Sequence, residues 1–221
     1  MVYSRQEWWI ISDTFSRLEP EKQQRILRAA YREFASRGFE KASTNSIVEE
    51  AGIGKGMLFY YFNSKTELFF YLIEQGINFV IDEYLSFLDD SETDFIEKYK
   101  QAARAKLEAY QKNHHVFNFL GTLYISQEIE LPEEVKSRLE NLRNNSYQKL
   151  FQNIDTSRFR KDIAPDKIIK LIKWTLDGYE QELINRLQGR DLSAIDFAPY
   201  WEEFFAYADI LKIVYYRKGE D

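Results

Sequence analysis

Residues 43–65 limit the possible folds of this chain more than any other segment, because they join two short helical patterns through a glycine turn. The first pattern has a hydroxyl-bearing cap at Ser43 or Thr44 and apolar residues along one face. Gly52 and Gly54 follow, and glycine can supply the positive φ that a tight turn needs. A basic and aromatic pattern comes next. This order predicts a helix-turn-helix unit, whose second helix enters the major groove of DNA.

The second pattern begins at about Lys55 and carries side chains that suit contacts with a duplex. Lys55 can donate to guanine, Gly56 lets the backbone approach the bases, and Met57 can lie against a thymine methyl group. Asn45, on the preceding helix, can pair with adenine through its amide. Other residues can hold phosphates through hydroxyl or ammonium groups and so fix the register of the helix. These are Thr44, Tyr60, Tyr61 and Lys65.

This segment resembles the DNA-binding motif of the TetR family of bacterial transcriptional regulators. The likeness rests on Ala51-Gly52-Ile53 and on the run from Lys55 to Lys65, and it covers about residues 20–75. Phe59 departs from the pattern, because the family most often has a tyrosine there whose hydroxyl meets a phosphate. The resemblance implies an all-α protein with an N-terminal three-helix helix-turn-helix domain and a C-terminal helical domain for ligand binding and dimerisation. It also implies a homodimer that binds double-stranded operator DNA and is not an enzyme.

Apolar residues recur at spacings of three and four almost throughout, and only four prolines and nine glycines interrupt them. Such a pattern predicts an all-helical chain. A capping box from Ser64 to Glu67 marks the start of the fourth helix. Leu58 and Phe62 are expected in the core. The predicted helices are 20–37, 44–51, 55–61, 64–88, 92–112, 114–128, 132–153, 165–188 and 197–217.

The net charge of −6 is divided unevenly along the chain. Residues 20–65 carry eight basic and five acidic side chains, whereas residues 66–221 have a net charge of −8. A basic head on an acidic body would orient the head toward a polyanionic duplex. Together with the resemblance, this asymmetry predicts an N-terminal arm (1–19), a DNA-binding domain (20–66) and a helical body (67–221).

The chain has no cysteine, which excludes disulfides, thiolate nucleophiles and cysteine metal sites and fits a reducing cytoplasm. It shows neither the apolar core of a signal peptide nor the roughly 20 apolar residues of a membrane span. No HExxH motif, glycine-rich phosphate cradle or Ser/His/acid set is present. His114 and His115 are adjacent, so on a helix they point about 100° apart and would not share a metal. We therefore expect a cytoplasmic protein without catalytic residues, metal, cofactor or membrane partner.

The body has no comparable motif, as in the TetR family, where this part varies with the inducer. Aromatic residues on the helices that resemble the pocket-forming set of the family, and one glycine inside a helix, are candidates for a hydrophobic ligand site. These are Tyr110, Phe117, Tyr124, Tyr147, Trp174 and Gly178. Family members usually dimerise through their last two long helices. Here these helices carry one apolar stripe from Ile168 to Leu183 and another from Phe204 to Tyr215, and periodicity leaves open whether the stripes face a second protomer or the core.

These features predict a sequence-specific DNA-binding transcriptional regulator, and more narrowly a repressor that a small hydrophobic inducer releases from DNA. The first alternative is an architectural or division-control DNA-binding protein of the same fold without an inducer. The second is a helical enzyme or lipid carrier with an incidental motif, which no catalytic set supports. The operator, the regulated genes and the inducer are not determined at this level.

Overall fold

The computed structural model describes residues 14–88, 91–126 and 131–217, and within these ranges the regular structure is helical, without a β-strand. Every predicted helix is present, with ends shifted by a few residues, so the all-α prediction is confirmed. The helices are α1 (Pro20–Lys41), α2 (Thr44–Ala51), α3 (Lys55–Tyr61), α4 (Lys65–Glu83), α5 (Phe95–Lys112), α6 (His114–Ser126), α7 (Glu133–Phe151), α8 (Pro165–Leu187) and α9 (Ala198–Tyr215). None of the helices in the described ranges is long and apolar enough to cross a membrane.

The turn between α2 and α3 depends on one glycine. Ser43 caps α2, since its hydroxyl accepts the amide of Ser46 at 3.4 Å. Gly52 ends α2 with φ of 66°, in the left-handed region that favours glycine. Gly54, for which a positive φ was also predicted, has φ of −75° and needs no such freedom. A further glycine, Gly38, has φ of 67° and places a kink in α1, which continues beyond its predicted end at residue 37.

The first of two compact units contains the described residues up to 79 together with 113–126, 131–135 and 191–193. In this unit α1 packs against both α2 and α6. The hydroxyl of Tyr31 donates to the carbonyl of Leu72 at 2.9 Å and so ties α1 to α4. The buried side chains at its centre include Ile26, Phe34, Ile47, Leu58, Phe62, Leu72 and Phe119. The predicted division after residue 66 stays a prediction, because these units follow packing, which groups α6 with the N-terminal helices.

The second unit contains the described residues 80–88, 91–112, 136–190 and 194–217. Its core joins α5, α8 and α9 around Phe159, whose backbone also pairs with Tyr216 in an isolated antiparallel bridge. The predicted stripes of α8 and α9 contribute four of the nine described buried residues of this core, namely Ile168, Ile172, Ala208 and Leu211. The inner part of both stripes therefore packs inside the protomer.

Asp94 joins the start of α5 to the end of α9. Its buried carboxylate accepts two backbone amides of the first turn of α5, at 3.0 and 3.1 Å, and the hydroxyl of Tyr216 at 2.8 Å. Arg158 and Lys212 bring positive charges to 3.2 and 3.1 Å. Burial by itself raises the pKa of Asp94, but these donors and charges outweigh it and hold the pKa below its ordinary value.

Candidate nucleic-acid interface

Helix α3 is the second helix of the helix-turn-helix unit, and its residues divide between two faces. The inward face holds the buried Leu58, as predicted, and fixes α3 to the core of the first unit. The outward face carries most of the side chains predicted to contact DNA, including a tyrosine ring that is 70% exposed. These residues are Lys55, Gly56, Met57 and Tyr60.

Gly56 lies within α3, where glycine is about 1 kcal/mol less favourable than alanine. A Cβ atom built at this position would have no protein atom within 4 Å. Neither internal packing nor a positive φ therefore requires a glycine here. The missing side chain leaves the N-terminal end of α3 open to a close approach by something outside the protomer.

The two predicted contact residues of α2 lie at its N-terminal end, where Asn45 is exposed and Thr44 is half-buried. Contacts with α1 hold both ends of α2 in place. The backbone amide of the cap residue donates to the carboxylate of Glu33 at 2.8 Å. Arg32 pairs with Glu50 at 2.6 Å. Thr44 does not provide the cap, so its hydroxyl is not used for that purpose.

Tyr61, predicted as a phosphate contact, is a core residue. Its side chain is 5% exposed, and its ring packs edge-on against Phe15 with the centroids 5.8 Å apart. A ring covered to this extent presents little surface to a duplex. We therefore remove Tyr61 from the set of contact residues and retain its exposed neighbour Tyr60.

Phe15 is a core residue behind α3 that the sequence pattern did not indicate. It is fully buried, and its ring lies 4.9 Å from that of Phe62 and 5.6 Å from that of Tyr71. The side-chain amide of Gln23 donates to two carbonyls of the segment around Phe15, at 2.7 and 3.0 Å, and anchors that segment to α1. Phe15 thus packs behind the C-terminal end of α3. It precedes the first long helical pattern, so periodicity gave no signal for it.

Lys65 lies in the first turn of α4 and is half-buried. Its Nζ donates to the carbonyl of Glu40, at the end of α1, at 3.1 Å, and lies 4.9 Å from the centroid of the Phe39 ring. The hydroxyl of Ser64 accepts the amide of Glu67 at 3.1 Å, which is one half of the predicted capping box. These contacts hold the ammonium group beside the amino end of α4, where a phosphate is favoured.

The predicted ligand-binding residues are shared between the two units. Phe117 and Tyr124 belong to the first, and Tyr110, Tyr147, Trp174 and Gly178 belong to the second. The side chain of Trp174 is 64% exposed and that of Tyr124 is half exposed, so neither lines an enclosed pocket within the protomer. These two predictions are corrected accordingly.

The other predicted ligand residues are engaged differently. Tyr110 packs against Phe197 with their ring centroids 5.5 Å apart, and Tyr147 packs against Phe151 at 6.1 Å. Phe117, in the first unit, packs against the ring of Phe79. A Cβ atom on Gly178 would meet nothing within 4 Å, so no other described element of the protomer packs closely against this position.

The second unit contains a small cavity of about 10 Å³. Five residues line it: Leu88, which follows α4, Lys98 and Gln101 on α5, and Lys149 and Leu150 on α7. None of the six predicted ligand residues is among them. A volume of this size accommodates about one water molecule.

The histidine pair lies at the start of α6, with the ring centroids of His114 and His115 4.0 Å apart. Burial, together with the neighbouring His114, Arg32 and Arg28, lowers the pKa of His115 to about 4. His115 is therefore neutral near pH 7. In the described part of the chain, no group of three His, Asp or Glu side chains could hold a metal ion.

Comparison with known proteins agrees with this geometry. Residues 26–72 match the family model described as bacterial regulatory proteins, tetR family. An HTH-type transcriptional regulator of Staphylococcus aureus strain bovine RF122 is 37% identical over 75 residues, which are 34% of this chain and 40% of that protein. Another from strain USA300 is 24% identical over 175 residues, covering 75% of this chain and 91% of that protein.

Solved structures extend the likeness of fold over most of the chain. A TetR family transcriptional regulator from Chloroflexus aurantiacus has a TM-score of 0.62 and 23% identity, covering 93% of this chain and 98% of that one. An exposed second helix, a glycine turn and a helical body thus define a helix-turn-helix DNA-binding protein. Residues 26–72 are thus similar to the DNA-binding domain of the TetR family, and most of the chain shares the fold of a solved regulator of that family.

Proposed function

We propose that this regulator is a homodimeric repressor that a small hydrophobic inducer releases from operator DNA. The observation that carries the DNA-binding part is the exposed end of α3, where Lys55 and Met57 are exposed and a Cβ atom on Gly56 would have no protein atom within 4 Å. Asn45 and Thr44 add base and phosphate contacts from α2, and Tyr60 and Lys65 hold phosphates beside α3. In this proposal an arm (1–19) and a DNA-binding domain (20–66) precede the ligand-binding body (67–221). The protein acts in the cytoplasm, where bacterial operator DNA is found.

Exposed apolar side chains on α8 and α9 support dimerisation through these helices. Trp174 and Ile213 lie on the faces opposite the buried Ile172 and Leu211, and the other exposed apolar residues lie closer to the buried faces. Large exposed apolar surfaces generally mark a binding site for another protein. A second copy of this chain fits such a surface, because a twofold pairing of these helices forms a four-helix bundle. The exposed residues are Leu171, Trp174, Tyr207, Ile210, Ile213 and Val214.

The dimer provides the mechanism of regulation. The two DNA-binding domains of the dimer must contact major grooves about 34–36 Å apart, which is one helical turn of a near-palindromic operator. A ligand that binds better to a state with a different spacing of the heads lowers the affinity for DNA. To move the equilibrium between the two states from 1:99 to 99:1, the preference must be about 10⁴-fold.

Substitution of Lys55 tests DNA recognition by α3 directly. DNA from the region upstream of the protein's own gene serves as the first probe, and a randomised library derived from a bound fragment reports the preference at each base pair. Lys55→Ala should weaken binding by about 1–3 kcal/mol and relax the preference at one base pair in each half-site. Lys106→Ala, at an exposed position of α5, removes the same charge from the body and should leave the base preference unchanged.

A uniform loss of affinity across the library would make Lys55 a phosphate contact instead of a base reader. Unchanged binding by Lys55→Ala would remove α3 from the interface and with it the proposed mode of DNA recognition.

The architectural alternative needs no ligand site in the body. The cavity of about 10 Å³ beside Lys98 is far smaller than the roughly 300–1,000 Å³ of preformed ligand sites, so an inducer that entered it would need side chains to move apart. Operator complexes that survive saturation with every ligand bound by the body would favour an architectural protein over an inducible repressor.

A further inference from the structure

Lys98, on α5, is a buried cation that has no anionic partner among the described residues. Its side chain is 3% exposed, and its Nζ donates to the main-chain carbonyl of Lys149 on α7 at 3.1 Å. No ion pair of Lys98 occurs in the described part of the chain. By contrast, Lys100, two residues further along, pairs with Asp209 and lies 3.8 Å from Glu97. An ammonium group taken out of water without a counter-ion is costly, so Lys98 favours the arrival of a negative charge.

The small cavity lies next to this cation. Lys98 lines it together with a second lysine, Lys149, and the amide of Gln101, and no acidic residue is among its described lining residues. Lys ammonium groups have three donors, and among described residues Lys98 uses one, on the carbonyl of Lys149. The cavity can hold a single oxygen atom within reach of the remaining donors.

A second unsatisfied donor lies on the next residue of the same helix. The hydroxyl of Tyr99 is buried and has no hydrogen-bond partner among the described residues. The Tyr99 ring packs against that of Phe151 on α7, with the centroids 6.5 Å apart. A buried donor without an acceptor is destabilising. Lys98 and Tyr99 therefore both carry unused donors on the part of α5 that contacts α7.

We propose that the contact between α5 and α7 binds the anionic oxygen group of a ligand, a carboxylate or a phosphate, with Lys98 as its counter-ion. One oxygen of the group enters the cavity beside Lys98. The rest of the ligand lies against Leu88 and Leu150, which must move to admit an apolar chain. The inference rests on the proposed function in one respect, because it makes an amphipathic anion the chemical class of the inducer.

The test uses the full-length protein and three probes at constant ionic strength: decanoate, 1-decanol and inorganic phosphate. Binding is followed by calorimetry and by the shift in melting temperature. Decanoate should bind the wild type, and Lys98→Met should weaken it by about tenfold or more, since a hydrogen bond to a charged group contributes about 1.5–3 kcal/mol. Lys98→Arg keeps the cation and should retain most of the affinity.

Lys106→Met is the matched control, because it removes one lysine from an exposed position of the same helix. It should bind decanoate like the wild type. Decanol should not distinguish any of the variants, because it lacks the charge. Binding of inorganic phosphate that depends on Lys98, with none of decanoate, supports the anion site and assigns it to a free anion instead of an amphipath.

Two results overturn the proposal. Equal binding of decanoate by the wild type, Lys98→Met and Lys106→Met shows that Lys98 takes no part. No binding of any probe by the wild type leaves the cavity to a water molecule. If Lys98→Met does not fold, Lys98→Arg and the comparison of decanoate with decanol on the wild type still decide the question.

Operator binding, measured in parallel, separates this inference from the proposed function. Decanoate that binds through Lys98 but leaves operator affinity unchanged supports the anion site and contradicts its role in induction. Release of DNA by a neutral ligand, with equal potency on Lys98→Met, supports an inducible repressor and overturns the anionic class of inducer.

Discussion

Helices α3 and α8 both contain a glycine that neither a positive φ nor packing within the described protomer requires. The surfaces around the two glycines differ. Gly56 and Gly178 each have open space where a Cβ atom would lie. Around Gly56 the exposed surface is basic and polar, as a DNA contact needs. Around Gly178 it is mixed, because Trp174, one turn away, is 64% exposed whereas the exposed Thr175 and Glu182 are polar. The same backbone feature thus has different surroundings in the two units, and in the proposed function it faces DNA in one and a second protomer in the other.

The largest expected effect tests the apolar partner. Ile213 is 73% exposed in the protomer, so Ile213→Asp should leave the fold intact while placing a charge in the proposed dimer interface. The variant should be monomeric by light scattering, and DNA affinity should fall by about 10²–10⁴-fold because the two heads no longer bind together. Ile81→Asp, at another exposed apolar position, should remain dimeric. A dimeric Ile213→Asp protein would place the interface elsewhere.

The next prediction concerns the support of α3 by Phe15. Phe15→Ala should lower the free energy of unfolding by about 3–5 kcal/mol, because it empties a fully buried site against Phe62 and Tyr71. Phe15→Leu should recover part of the loss and most of the DNA affinity. Chemical denaturation and operator binding measure the two effects. Equal stability of Phe15→Ala and the wild type would show that the N-terminal segment does not support the reader.

Asp94 provides the corresponding test in the second unit. Asp94→Asn should lower the free energy of unfolding by about 1.5–3 kcal/mol, since the carboxylate accepts hydrogen bonds from charged groups. The folded-state pKa of Asp94 lies below its ordinary value, so its contribution is present above that value and is lost as pH falls through the folded-state pKa. Denaturation at pH 7 and pH 3 should therefore show a smaller difference between variant and wild type in acid. The same difference at both pH values would contradict this role.

A smaller effect compares the two glycines directly. Gly56→Ala and Gly178→Ala should each stabilise their helix by up to about 1 kcal/mol. Gly56→Ala should weaken DNA binding and leave the dimer intact, whereas Gly178→Ala should weaken the dimer. Sedimentation and DNA titration distinguish the two outcomes. Full DNA affinity in Gly56→Ala would mean that no group of the duplex approaches α3 at this position.

The smallest expected effect concerns Lys65. Lys65→Ala should weaken binding to all sequences alike and reduce the slope of log K against log[salt] by about one unit per head. Lys106→Ala should leave the slope unchanged. Since Lys65 also donates to the carbonyl of Glu40, a thermal melt must confirm that the variant is folded. An unchanged slope in a folded variant would show that Lys65 serves only that internal contact.

The helices and the reader could be predicted from the sequence because their signals are local. A turn, a cap and a period of 3.6 residues depend on neighbours within one or two helical turns. The cap at Ser64, the turn at Gly52 and the start of α3 at Lys55 could therefore be predicted from the sequence. The prediction failed at Tyr61, where one aromatic residue faces solvent and the next faces the core. The residue type does not show which of two neighbouring tyrosines is buried. In the folded protein the position of Phe15 determines that Tyr61 is the buried one.

The sequence alone determined that this chain is helical and carries a helix-turn-helix unit, since both properties follow from short-range patterns, and its resemblance to the TetR family indicated a DNA-binding regulator. Only the tertiary structure decided which faces of α8 and α9 are internal. Both helices carry apolar residues on more than one side, and a period of 3.6 residues does not specify which side packs first. Ile172 and Leu211 lie in the core because α5 and Phe159 cover them, whereas Trp174 and Ile213 stay exposed because no element of the described protomer reaches them. The different surroundings of Lys98 and Lys100 also depend on the tertiary structure. Lys98 contacts a carbonyl of α7, whereas Lys100 pairs with Asp209 on α9.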